Sequence, residues 1–104
     1  MRLVQWITVE WEFDGEIIEW RGPAPYFFVA MSEADSAELK EEARSLIYWG
    51  QVPVQVVIGD TEFRTALFPR EGRYLVPLKD AVRNAEGIHE GDVVSVVLRP
   101  ARRE

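Results

Sequence analysis

Apolar and polar residues alternate with a period of two over most of this chain, the pattern of strands that set one face on a core and the other in water. Ile7, Val9, Trp11 and Phe13 share one face, while Thr8, Glu10 and Glu12 share the other. Asp14-Gly15 predicts a tight hairpin turn, with the chain returning over residues 16–21. Gly22-Pro23-Ala24-Pro25 breaks the ladder, because proline has no amide hydrogen to donate, and residues 26–31 resume as an aromatic-rich strand. Val52, Val54, Val56 and Ile58 alternate with Gln51, Pro53 and Gln55, which predicts a half-buried strand placed at a sheet edge by Pro53. Gly59-Asp60 is a second two-residue turn, and residues 61–68 pair back. A turn over residues 69–72 leads to a strand at 73–76, and the turn His89-Glu90-Gly91-Asp92 launches the last strand at 93–98.

The period changes to that of a helix twice. Leu39, Ala43, Leu46 and Ile47 form one apolar stripe, with Glu38, Glu41, Glu42 and Arg44 off it. Ser32 is the expected N-cap, Glu33 and Asp35 suit the positive end of the helix dipole, and Gly50 is the expected stop. Leu78, Ala81, Val82 and Ala85 line a shorter helix ended by Gly87. The order is three strands, an amphipathic helix, three strands, a short helix and a strand. Hairpins dominate this order, so the expected fold is mainly β with a minor α+β character, a closed or split antiparallel barrel capped by one amphipathic and one short helix.

Length and composition narrow the picture. The 104 residues suit one hydrophobic core. We read residues 1–98 as a single β-barrel domain and residues 99–104, charged and without period, as a frayed tail. A 47% hydrophobic and 29% charged composition is that of a globular chain. The formal charge of −6 argues against a dedicated nucleic-acid binder, whose footprint is basic. With no cysteine and only His89, neither thiolate chemistry nor a site with two histidines is available. No apolar stretch approaches the roughly 20 residues that span a bilayer. Glu10, Glu12 and Asp14 interrupt the start before a signal-peptide core forms, so cytoplasmic residence is the expectation.

The stretch from 65 to 98 is the most informative. Thr65, Leu67-Phe68-Pro69, Gly72, Tyr74, Pro77, Lys79, Val82-Arg83, Ala85, Gly87-Ile88 and Gly91-Asp92 resemble the signature of a bacterial domain-of-unknown-function family, DUF1905. The N-terminal half agrees more loosely, through its opening aromatic strand, the strand before Ser32 and the Gly59 hairpin. Part of the same stretch, from Gly72-Arg73 through Val76-Pro77 to Val82-Arg83, Gly87-Ile88 and Gly91-Asp92, is similar to the swapped-hairpin half-barrel of AbrB- and MazE-like DNA-binding regulators and antitoxins. That resemblance implies a double-split β-barrel. It departs at Glu86, where the regulators carry an apolar residue before the glycine. It departs again in the extra N-terminal half, which could complete the barrel within one chain. The expected state is therefore a monomer or a surface-mediated dimer.

Charge is uneven along the chain. Residues 1–63 carry four basic and twelve acidic side chains, and residues 64–104 carry eight and six. Arg70, Lys79 and Arg83 are the candidate anion site, near the turn at 69–72 and the start of the short helix, where free amides also favour negative charge. Lys79 and Arg83 stand four apart on one helix face as like charges, and Lys79 opposes the helix dipole, so two local rules are broken together. The plain alternative is a structural counter-charge such as Glu62 or Glu71. Trp49 and Tyr74 are candidates for a pocket wall, although strand-spaced aromatics such as Trp6, Trp11, Tyr26 and Phe28 read first as core. His89 beside Glu90 and Asp92 reads as a solvated turn residue. No Ser-His-Asp set, metal site, phosphate loop or cofactor motif stands out. The expectation is a small binding module without catalysis, for an anionic small molecule or a protein partner; the alternative is a DNA-binding AbrB-like regulator.

Overall fold

The structure is a computed structural model that describes residues 10–23, 26–47 and 50–101. The chain is mainly β, a seven-stranded antiparallel sheet curled over its own core and joined by two short helices. The strands are β1 (Trp11–Glu16), β2 (Ile18–Trp20), β3 (Tyr26–Ala30), β4 (Val52–Ile58), β5 (Thr61–Arg70), β6 (Arg73–Leu78) and β7 (Val93–Pro100). Helix α1 (Glu33–Glu42) lies between β3 and β4, and α2 (Asp80–Glu86) lies between β6 and β7.

The sheet order is β1-β7-β4-β5-β6-β3-β2. Its two edges, β1 and β2, are consecutive in the chain and separated only by Ile17. The sheet therefore curls into a half-barrel whose two edge strands join at one corner. Ile17 is fully buried at that corner, and its backbone donates to Asp92 O at 2.8 Å and accepts from Gly91 N at 2.9 Å. The long strand β5 passes between ladders in the same way. Thr61 to Leu67 pair with β4, and Phe68 to Arg70 pair with β6.

The Asp14-Gly15 turn does not form, because β1 runs straight through it, pairing Asp14 with Ser95 and Gly15 with Val94. Gly15 serves close approach instead of a turn, since a Cβ there would collide with Cγ1 of Val29 on β3. Pro53 also lies elsewhere than expected. Strand β4 is central, between β5 and β7, and is not an edge. The Pro53 carbonyl accepts from Ala101 N at 2.9 Å, beyond the last β4–β7 pair at Val54 and Pro100. A strand residue aims its N–H and C=O at the same neighbour, so the missing hydrogen falls where the β7 ladder ends. Strand β7 itself runs past Leu98, so Arg99 and Pro100 belong to the sheet and Ala101 is bonded to it, while residues 102–104 lie outside the described residues.

The remaining turns follow their residues. Gly59 (φ +58°) opens the β4–β5 hairpin, and Glu71 and Gly72, both at positive φ, close the β5–β6 hairpin. Ser32 caps α1 with its hydroxyl accepting from Asp35 N at 3.0 Å. The helix stops earlier than the apolar stripe predicts, at Glu42, and a 3-10 turn over Arg44–Leu46 carries the stripe on. Leu39 and Ala43 are fully buried, and Leu46 and Ile47 pack against the core from its margin. The core itself is built from alternate strand positions, with Val52, Val54, Val56 and Ile58 facing Leu67, Val76, Val96 and Leu98 in one cluster. Each such side chain contributes roughly 1.5–3 kcal/mol on burial.

Candidate functional site

Strand β3 sorts its aromatic run between two faces. Phe27 and Val29 point towards the core, while Tyr26 and Phe28, one step out of phase, lie on the opposite face. On that opposite face Tyr26 contacts Trp20, Phe28 and Phe68, with ring centroids 5.4, 5.6 and 5.8 Å away. Trp20 keeps 38% of its surface exposed, and the Arg70 guanidinium lies 5.7 Å above its ring.

A cleft of about 480 Å³ opens where β3 and β6 end and α2 begins. Tyr26, Phe27, Pro77, Leu78 and Ala81 give it apolar walls, and Lys79, Asp80 and Arg83 give it charge. Phe27 is opposite Leu78 in the ladder, so both sit on the cleft floor because the β3–β6 pairing stops there. Arg83 stacks its guanidinium on the Phe27 ring, 3.8 Å from the centroid, pairs with Asp80, and donates from Nε to Leu78 O at 3.4 Å. Lys79 is exposed at the rim, and among the described residues no carboxylate pairs with it. Glu62 faces Arg99 instead.

Of the three cations singled out from sequence, Lys79 and Arg83 line one cleft and Arg70 lies over Trp20 outside its walls. Asp80 stands i−3 to Arg83 and supplies the counter-charge that the sequence reading sought farther away. The spacing of residues 80 and 83 on a helix was the available signal.

Tyr74 lies elsewhere, in the wall of a second pocket of about 250 Å³ between α1 and the β5–β6 turn. Its other lining residues are Ser36, Ala37, Lys40, Pro69, Gly72 and Arg73. Ser36, 3% exposed, accepts from Tyr74 N at 2.9 Å and so pins α1 to β6. Arg73 donates from Nε to Met31 O at 2.6 Å. Burial pushes the Tyr74 phenol above its ordinary value of 10.0, so at neutral pH it is a neutral hydroxyl. Trp49 lies outside the described residues, but a Cβ on its neighbour Gly50 would lie 3.6 Å from the Pro69 ring. Lys40 and Ser36 were not singled out from sequence as site residues, whereas Arg73 belongs with Arg64, Arg70, Lys79 and Arg83 to the basic cluster of the second half. Only the fold brings residues 36–40 against residues 69–74.

His89 is exposed, with its backbone N–H donated to Asp92 Oδ2 at 2.8 Å and its ring Nδ1 3.8 Å from the same carboxylate. Among the described residues no group of three metal-ligating side chains is close enough to hold an ion. None of their helices is long and apolar enough to cross a membrane.

A search of curated proteins finds no match to the chain. Residues 13–98 match the family model described as Domain of unknown function (DUF1905). The match runs from β1 to β7 and takes in both clefts, and the chain belongs to that family.

Proposed function

We propose that this chain is a small binding module whose cleft beside α2 takes an anionic small molecule with a flat apolar part. The supporting observation is Lys79, a cation unpaired among the described residues, on the rim of a cleft floored by Phe27, Pro77 and Leu78. A volume near 480 Å³ is within the usual range for small-molecule sites, and apolar walls with a few polar groups are their usual chemistry. Arg83, already stacked on Phe27 and paired with Asp80, holds the wall in shape, and Lys79 supplies the charge for the ligand. Phenyl phosphate is a suitable probe. Thermal melting of the wild-type chain should rise with its concentration, as expected when a ligand binds only the folded state. Lys79→Gln should keep the ligand-free melting temperature and lose the rise. A fall in the ligand-free value would make Lys79 a structural residue, and a wild type indifferent to the probe would remove the site.

The second reading, a DNA-binding regulator similar to the AbrB and MazE proteins, rests on the strand–helix–strand succession β6–α2–β7. Charge argues against it. The net −6 repels phosphate, and Arg83 is neutralised by Asp80. A gel shift at low salt, where electrostatic contacts are strongest, should give no saturable complex with duplex DNA. Sequence-selective binding at sub-micromolar concentration would reverse the ranking.

A further inference from the structure

We propose that the pocket between α1 and the β5–β6 turn is a second binding site, for a small organic carboxylate held by Lys40 and Arg73 with its carbon body against Pro69 and Tyr74. The site is separate from the cleft beside α2, and the two have no lining residue in common.

The first argument is charge. The chain has eighteen acidic and twelve basic side chains, yet this lining holds two cations and no carboxylate. Helix α1 carries Glu33, Asp35, Glu38, Glu41 and Glu42, so an acidic neighbour for Lys40 would have been easy to supply. The positions three and four away from Lys40 are instead Ser36, Ala37, Ala43 and Arg44. No acidic residue of α1 therefore stands one turn away from Lys40. Arg73 breaks a local rule as well. It stands directly across the ladder from Arg70, where like charges cost stability.

Geometry supports the same reading. The bond from Arg73 Nε to Met31 O fixes the guanidinium and leaves both Nη groups for a carboxylate, the planar acceptor that matches a guanidinium edge. The walls are rigid, because Ser36 is bonded to Tyr74 N across the pocket base and Glu71-Gly72 form a tight turn. About 250 Å³ equals the liquid share of about eight water molecules, which suits a single-ring acid.

Benzoate titrated into isotope-labelled wild-type protein tests the assignment through amide chemical shifts. Saturable shifts should centre on residues 36, 37, 40 and 72–74. Benzyl alcohol, the neutral analogue, should leave these amides in place, and inorganic phosphate should shift them at least tenfold more weakly. Lys40→Gln and Arg73→Gln should each raise the benzoate Kd at least tenfold. Lys40 makes no side-chain bond among the described residues, so its variant decides the matter even if the Arg73 variant fails to fold. Equal binding of benzyl alcohol, equal binding of phosphate, or benzoate shifts centred on residues 77–83 would each overturn the proposal. The last result would leave the cleft beside α2 intact as a site, so the two readings fail separately.

Discussion

Glu86 stands just before the glycine that ends α2, and its surroundings explain why a carboxylate is there. Its Oε2 accepts from Asp60 N at 3.2 Å and from the Thr61 hydroxyl, which ties α2 to the β4–β5 hairpin. Gly59 leaves the room this needs, since a Cβ there would collide with the Glu86 carboxylate. Gly59→Ala should therefore cost about 2–3 kcal/mol, part from a left-handed backbone at a residue with a Cβ and part from lost hydrogen bonds. In a Glu86→Ala background the same change should cost only about 1–2 kcal/mol, because the backbone part alone remains. Urea unfolding of the four variants measures the coupling, and strict additivity would show that the two residues do not meet. Tyr74 gives a second expectation. Its phenol is held above 10.0 in the folded chain, so unfolded chains lose that proton first as pH rises. Stability from this group is complete below pH 10 and declines above it. Measured against Tyr74→Phe, the wild type should lose ground as pH rises above 10 and hold a constant difference below pH 9. A constant difference through pH 11 would contradict the buried phenol. Residue chemistry of this kind was only half visible in the sequence. Gly59 was read correctly as a turn, but Asp14-Gly15, the same two residue types in the reverse order, serves as a strand, because what decides it is Val29 from another strand.

Among the elements, those whose pattern depends on immediate neighbours were legible, and those set by distant partners were not. The Ser32 cap, the Gly87 stop (φ +62°), the Gly59 hairpin and the alternation along β4 all follow from local chemistry. Sheet position does not. Pro53 suggested an edge, and only the register with β7 shows why a central strand tolerates it. Nor could spacing alone show that α1 ends at Glu42 while its apolar stripe continues through a 3-10 turn. The attachment of α1 is testable. Trp11 Nε1 donates to Glu38 Oε1 at 2.8 Å on one side of the helix, and Ser36 accepts from Tyr74 N on another. Ser36→Ala would strand a buried amide and should cost about 1–3 kcal/mol. Amide hydrogen exchange should quicken at Tyr74 while the β4–β5 ladder keeps its protection relative to global unfolding. Unchanged exchange at Tyr74 would show that α1 is held without this bond.

At the scale of the whole molecule, the covalent link through Ile17 turns a seven-stranded sheet into a curled one, and the β3–β6 ladder ends beside α2. The packing of β3 and α1 on β6 makes both pockets, each lined by segments distant in sequence. It also explains why the candidate site was legible only in part. Lys79 and Arg83 are near neighbours on one turn of chain, so their shared cleft could be read from spacing. Arg70 was grouped with them by sequence proximity, but the outward face of β5 carries it to Trp20. The apolar floor from Phe27 could not be read at all without the β3–β6 register. The most direct test of the binding account is a crystal structure of the chain grown with phenyl phosphate. The account predicts the ring against Phe27 and Pro77 with the phosphate within ion-pair reach of Lys79. An empty cleft, or Lys79 paired with a carboxylate of its own chain, would contradict it.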